Sequence, residues 1–316
     1  MPTITQLEYV VAVAKTRHFG QAAEICHVAQ PSLSMQIQKL EDELDTTIFD
    51  RSKKPIGVTE LGQVIILQAQ KVLAEHKKLK EMALNSGHEP QGLFHLGVIP
   101  TLSPYLLPLF IGSFSSKYPK VQLKINEYQT SDIIKKIMDD EIDAGLLVSP
   151  LEDKRIIERP LFFEPFYAYV SQNHILSKRK FLREEDLSDD NLWLLEEGHC
   201  FRDQVLKVCS LKRQHAALEN VEFAGGNLET LKNMVKTNSG YTLLPELAVE
   251  SLAQEEKKTY IKKFKKPVPT REVSLVYSRN FFKQSTLEAL EREIQDHLPT
   301  RLQNLKKRDI DVVGIF

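Results

Sequence analysis

A chain of 316 residues, 42% of them hydrophobic, is long enough for about two domains with real cores, and a net charge of −1 gives no bulk signal for nucleic acid. Three cysteines, a small and odd number, argue against a secreted disulfide framework. The opening M-P-T-I-T-Q-L-E-Y-V-V-A-V-A-K has no basic leader, and its apolar run is too short for a signal peptide or a membrane span, so a cytoplasmic protein is expected.

Residues 3–17 are predicted to be helical, because Leu7, Val10, Val11 and Ala14 recur at helical spacing. A short helix over 20–27 follows, in which Ala22 and Ala23 permit close packing. After a turn, Pro31 stands at the start of a third helix, where Leu33, Ile37, Leu40 and Leu44 form one apolar stripe. The remaining positions, Gln30, Ser32, Ser34, Gln36, Gln38 and Lys39, carry short, amide or basic side chains of the kind that read base edges and phosphates. Glu41, Asp42 and Glu43 lie at the far end, where phosphate would repel them, so only the N-terminal half suits a major groove. The pattern alone fits a polar bundle face equally well. The first sixty residues hold six Lys/Arg against eight Asp/Glu, so any DNA contact rests on local placement of a few charges.

Thr59 is placed to cap a long helix with Leu61, Ile65, Val72, Leu79 and Ala83 along its apolar edge as far as Leu84. So small a domain cannot cover that edge, which predicts pairing with a second copy. Residues 85–92, N-S-G-H-E-P-Q-G, read as a linker. The pattern then alternates: strand 94–99, helix 105–118, strand 121–128, helix 131–139 and strand 144–149. This βαβαβ order implies a parallel sheet. The apolar strand 162–171 is the expected crossover to a second lobe, with a strand at 221–224, a helix at 228–236 and a strand at 241–244. Strand 272–277 returns to the first lobe, and a helix over 284–297 follows. Two lobes with a ligand cleft between them are expected. The last residues, from about 299 to 316, find no place in this scheme, and the Lys-rich runs S-K-R-K and E-E-K-K-T-Y-I-K-K-F-K-K read as solvated faces.

The segment L-L-E-E-G-H-C-F-R-D-Q-V-L-K-V-C carries Cys200 and Cys209. Gly198 breaks the chain just before, which sets Cys200 in the first turn of a helix. The helix dipole and nearby Arg202 are expected to favour its thiolate. On a continuous helix the two sulfurs stand about 13–14 Å apart along the axis. A disulfide needs Cα atoms within about 7 Å, so pairing requires the helix to be rebuilt. The spacing matches no standard metal or thioredoxin-type motif. Two inert buried thiols and a redox switch both remain open on this reading. Cys26, beside Ile25 and Val28, reads as packing. Thr101 and Thr130 follow predicted strands, where α/β sheets place ligand contacts and where threonine also commonly caps helices.

The string A-A-E-I-C-H-V-A-Q-P-S-L-S-M-Q-I-Q-K-L-E-D-E-L resembles the signature of the LysR-type transcriptional regulators, and D-R-S-K-K-P-I-G-V-T-E-L-G resembles that family's wing. I-P-T-L, Y-Q-T-S and G-H-C-F-R-D-Q-x-x-x-x-C resemble its OxyR peroxide-sensor branch, and the resemblance extends to about residue 298. It implies a winged helix-turn-helix over 1–58, all-α with a small wing, and a linker and dimerisation helix over 59–88. A two-lobed, periplasmic-binding-protein-like α/β sensor would span 89–316, with lobe I at about 89–163 and 268–316 and lobe II at about 164–267. DNA would be met by Gln30, Pro31, Ser32, Ser34, Gln36 and Lys39, and by Arg51, Lys53 and Lys54 of the wing. Gln38 stands where many members carry arginine. The resemblance further implies a peroxide pocket of Thr101, Thr130, His199, Arg202 and Asp203. There Cys200 would be oxidised to a sulfenic acid and condense with Cys209 to a disulfide. The implied partners are double-stranded DNA, RNA polymerase, further copies of the chain as dimer and tetramer, hydrogen peroxide, and a thiol reductant such as glutaredoxin or thioredoxin. No cofactor, metal, membrane or catalytic turnover is expected. Two rivals stand beside this reading. One is a LysR-type sensor of a small organic ligand. The other is a thiol peroxidase, which would not need the N-terminal third.

Overall fold

The computed structural model describes all residues except 85–88, 152, 188–190, 210–224, 280 and 315–316. The chain forms two compact units, Met1–Gly87 and His88–Phe316.

In the first unit, helix α1 (Ile4–Thr16) starts at a capping box, with Thr3 and Gln6 each accepting the other's backbone N–H. Helices α2 (Phe19–Ile25) and α3 (Gln30–Glu43) follow, then the antiparallel pair β1 (Phe49–Asp50) and β2 (Gly57–Val58). The apolar positions of the three helices meet in one core around Val10, Val13, Ala22, Leu33, Ile37 and Leu40, closed by Ile48, Phe49 and Ile66. Helix α4 (Glu60–Leu84) begins where Thr59 Oγ1 accepts the Gly62 N–H at 2.9 Å. Its anchoring face is Ile66 and Ala69, one step round from the expected edge, while Ile65 is half-buried. Leu61, Val64, Leu67, Val72 and Leu79 are exposed along the other side.

In the second unit, β3 (Gly92–Val98), α5 (Ser103–Lys117), β4 (Val121–Glu127), α6 (Thr130–Met138) and β5 (Ala144–Ser149) form a βαβαβ unit whose parallel strands lie in the order β4-β3-β5. Strand β6 (Ile156–Val170) begins earlier than its apolar stretch suggests, because Glu158, Arg159 and Pro160 interrupt the apolar pattern of its first half. Next come β7 (Phe181–Leu182), α7 (Cys200–Val208), α8 (Leu228–Thr237), β8 (Tyr241–Pro245), α9 (Glu246–Glu250) and α10 (Gln254–Tyr260). The chain ends through β9 (Ile261–Phe264), β10 (Val268–Ser278), α11 (Gln284–His297), α12 (Thr300–Gln303) and β11 (Ile310–Val312).

Strands β6 and β10 make the two-lobed arrangement. Residues 156–165 of β6 pair antiparallel with β10, which also pairs with β5, and residues 166–170 pair with β8. The chain thus passes into the second lobe along β6 and comes back between β9 and β10. The strand expected at 221–224 lies outside the described residues. The C-terminal stretch, which found no place in the sequence scheme, pairs parallel with β10, Val268 opposite Ile310 and Thr270 opposite Val312.

Candidate functional site

Helix α7 runs unbroken from Cys200 to Val208, and Cys209 is its C-cap residue. Neither cysteine is joined in a disulfide, and both are buried, at 5% and 3% exposure. Gly198 has φ +89°, a left-handed conformation that glycine takes without steric cost, and it packs so closely on Gln129 that a Cβ would come within 2.5 Å of Oε1. Gln129 is the N-cap residue of α6, so this contact brings the first lobe against the start of α7.

Burial pushes the Cys200 thiol above its ordinary range. The Thr130 hydroxyl, the Arg271 charge and the Phe201 N–H act the other way, while Asp203 adds to the rise. This corrects the sequence reading in sign and in residue. Desolvation outweighs the helix start, and the cation acting on the thiol is Arg271 rather than Arg202. Arg202 instead spans its own segment, with Nη1 donating to the Leu195 carbonyl at 2.8 Å. Asp203 is exposed, and its charge disfavours the thiolate. His199 is buried with Nε2 3.6 Å from Glu196 Oε1. It lies against Gly226, where a Cβ would meet Nε2 at 2.6 Å.

Arg271 is fully buried on β10 and forms a two-pronged pair with Glu164 of β6, Nε to Oε2 at 2.9 Å and Nη2 to Oε2 at 2.8 Å. Its Nη1 donates to Thr101 Oγ1 at 3.0 Å and its Nη2 to the Thr101 carbonyl at 3.3 Å. The guanidinium also lies 5.5 Å from the centroid of the Phe201 ring. Thr101 Oγ1 therefore receives a hydrogen bond and keeps its own proton to donate. Thr130 Oγ1 is buried without a partner of normal geometry among the described residues, close enough to Cys200 to favour the thiolate. Neither threonine caps a helix: the N-cap residues are Leu102 for α5 and Gln129 for α6, and neither makes a side-chain cap bond. One hydroxyl and one cation thus bear on a buried thiol, and the Thr101 hydroxyl is bonded to that cation. That arrangement can hold a small polar oxidant and stabilise the negative charge on its departing oxygen. Arg271 and Glu164 escape periodicity analysis. The available signal was a charged T-R-E triplet inside an otherwise apolar strand, since charges inside a sheet core are rare unless paired.

On α3, Gln30, Pro31, Ser32 and Lys39 are exposed and Ser34 is half-buried. Gln36 is half-buried, and its Oε1 accepts from buried Gln6 Nε2 at 3.4 Å. Arg51 is exposed and also tied to its surroundings. It donates to Ser34 Oγ at 3.3 Å, pairs with Glu41 Oε2 at 3.0 Å and stacks 5.1 Å above Phe19. Glu41, expected to repel DNA, is occupied structurally, its Oε1 accepting the N–H groups of Ile48 and Phe49 at 2.7 and 3.1 Å. Lys53 and Lys54 are exposed between the two wing strands. Among the described residues no helix is long and apolar enough to cross a membrane.

Residues 4–63 match the family of bacterial regulatory helix-turn-helix proteins of the lysR type, and residues 87–299 match the LysR substrate binding domain. The "Hydrogen peroxide-inducible genes activator" of Dickeya chrysanthemi is 39% identical over 302 residues, 96% of this chain and 98% of that protein. The "DNA-binding transcriptional dual regulator OxyR" of Escherichia coli K12 is 38% identical over 97% of this chain and 99% of its own length. Among solved structures, a full-length OxyR variant from Pseudomonas aeruginosa matches with a TM-score of 0.72 at 34% identity, covering 97% of this chain and 99% of that one. An OxyR mutant from Corynebacterium glutamicum with H2O2 bound matches at 0.62 and 26% identity, covering 98% of each chain. The helix-turn-helix, the two-lobed sensor and these relatives together make the chain a member of the LysR family of DNA-binding transcriptional regulators, in its OxyR branch.

Proposed function

We propose that this protein is a peroxide-responsive transcriptional regulator that controls oxidative-stress genes, with Cys200 and Cys209 as its switch. One observation carries the reading. A buried thiol beside the Thr130 hydroxyl and in the field of the Arg271 cation, which also holds the Thr101 hydroxyl, opens a helix whose far end holds a second buried thiol. The peroxide-inducible relatives and the peroxide-bound neighbour support it. A thiolate at Cys200 attacks one peroxide oxygen, the O–O bond breaks, and the leaving oxygen departs as water once protonated. The sulfenic acid then condenses with the Cys209 thiol, losing a second water and forming the disulfide. His199, Arg202 and Asp203 shape the surroundings of that step and do not carry it. The chain ends oxidised, so the chemistry is a signal and not turnover, and a dithiol reductant such as glutaredoxin or thioredoxin resets it in the cytoplasm. Peroxide-treated protein, digested and examined by mass spectrometry, should yield a Cys200–Cys209 linked peptide together with a changed DNA footprint. Reduced thiols and an unchanged footprint after treatment would remove the proposal and favour a small organic ligand.

The chain acts on double-stranded DNA through α3 and the wing, with contact to RNA polymerase for activation. Gln30, Pro31, Ser32, Ser34 and Gln36 lie on the face that reads sequence, and Lys39, Lys53 and Lys54 bear on phosphate. Alanine at Lys53 or Lys54 should weaken binding to every sequence and reduce the salt slope by about 1 each, leaving preference intact. Alanine at Ser32 should change preference and leave the slope alone. Arg51→Ala should weaken all binding by loosening the wing from α3, because Arg51 is tied to Ser34 and Glu41. Titrations across a salt series separate these cases.

The exposed Leu61, Val64, Leu67, Val72 and Leu79 support a dimer through α4, extended to a tetramer by the sensor domains. Leu61→Glu combined with Leu79→Glu should lower the assembly by one step in sedimentation, with α-helix content nearly unchanged. A parent chain that sediments as a monomer at micromolar concentration would contradict this.

A further inference from the structure

The C-terminal strand reaches the switch helix. Gln204 lies in the middle of α7 with no exposed surface, and its Nε2 donates to the Val313 carbonyl at 2.7 Å. The Val313 N–H in turn donates to the Thr270 carbonyl at 2.8 Å. Thr270 immediately precedes Arg271, whose guanidinium bears on Cys200. Strand β11 pairs parallel with β10 over the three residues before Val313, and Lys266 pairs with Asp309 at 2.8 Å just upstream. The last described residues therefore bridge β10 to α7 through one buried side chain. Gln204 Oε1 is buried without a partner, so Val313 is the sole hydrogen-bond contact of this amide among the described residues.

We propose that Gln204 and the terminal strand form a latch that holds α7 helical and so sets how readily Cys200 and Cys209 join. Gln204 is a positioning residue here, acting through the helix that carries both thiols. The inference rests on the redox reading above. In the reduced protein the two cysteines stand at opposite ends of α7, and closing the disulfide requires the intervening turns to unwind. Unwinding carries Gln204 off Val313 and leaves a buried amide and a carbonyl to find new partners. The latch opposes the second chemical step, condensation of the Cys200 sulfenic acid with the Cys209 thiol and release of water. It does not oppose the first, attack of the Cys200 thiolate on peroxide, which needs α7 intact. Once the disulfide forms, strand β11 loses its tie to α7, so the terminal residues become more mobile in the oxidised state.

Two variants test the latch from its two sides: Gln204→Leu, which keeps bulk and burial, and truncation after Asp309, which removes the strand. Sulfenic acid formation is followed by trapping with a dimedone-type reagent, and disulfide formation by the yield of linked peptide against time. Hydrogen exchange of α7 amides is measured on the reduced full-length protein. Both variants should speed disulfide formation about five- to tenfold, the size one net hydrogen bond supports. The trapping rate should stay within about twofold, and reduced α7 should exchange faster. A merely structural loss would change both chemical rates together. Unchanged exchange in α7 for both variants overturns the latch whatever the redox chemistry is. Unchanged disulfide rates with normal trapping overturn it while leaving the redox reading standing. A parent protein that traps no sulfenic acid and gives no linked peptide overturns the reading and the latch with it.

Discussion

Replacing Cys200 by serine should abolish the peroxide-dependent change in DNA footprint, whereas replacing Cys209 should leave a trappable sulfenic acid and a weakened, short-lived response. The two thiols differ in surroundings, not in burial. Cys200 begins α7 beside the Thr130 hydroxyl and within the field of Arg271. Cys209 ends the same helix, where the dipole opposes an anion. Attack on peroxide is therefore expected of Cys200, and a serine hydroxyl is far too weak an acid to substitute for it. Cys209→Ser removes only the resolving partner. Cys26 is half-buried in the first unit, its thiol pushed up by burial and by Glu8, so Cys26→Ser should leave the response intact. Footprints before and after peroxide, with sulfenic acid trapping, check all three variants. A full response in Cys200→Ser would overturn the assignment, and loss of response in Cys26→Ser would move the switch elsewhere.

Arg271→Met should cost about 3–5 kcal/mol of stability, because it strands the Glu164 carboxylate in the core with no opposite charge. Both side chains have zero exposure, so solvent screening does not soften the loss. Pairing it with Glu164→Gln should restore much of the stability, since the buried charge goes with its partner. Reactivity should not return with it. Arg271 holds the thiol of Cys200 down against burial, so its removal raises that pKa further. At a given pH the thiolate fraction falls, the oxidation rate at pH 7 drops, and the rise of rate with pH moves to more alkaline values. Thr101 also loses the donor to its Oγ1, which loosens that hydroxyl. Denaturant unfolding and the pH profile of thiol oxidation separate the two effects. A double variant that regains stability and the neutral-pH rate together would show that Arg271 serves the fold alone.

Much of the architecture was written in short-range pattern. Helical spacing at Leu33, Ile37 and Leu40 and strand-helix alternation from Leu93 onward report which face of each element must leave water, and the three helices and the parallel β4-β3-β5 sheet follow directly. Gly198 before Cys200 marked the start of α7, and the cysteine spacing put the partner out of reach on an intact helix. Tertiary structure alone decided how that thiol titrates. Burial reverses the effect that a helix start would have on its own, and the compensating cation comes from β10, in a distant part of the chain. Arg202 reads as the neighbour because it is near in sequence, yet its guanidinium serves the Leu195 carbonyl. Arg51 reads as a phosphate contact because it lies in the wing, and only the fold shows that it also ties the wing to Ser34, Glu41 and Phe19. The terminal strand had no apolar period long enough to read, and its place is set by backbone pairing to β10 and one buried amide. Periodicity encodes which side of an element is buried. The partner a charged or amide side chain meets depends on which elements the fold brings beside it, and nearness along the chain does not specify that.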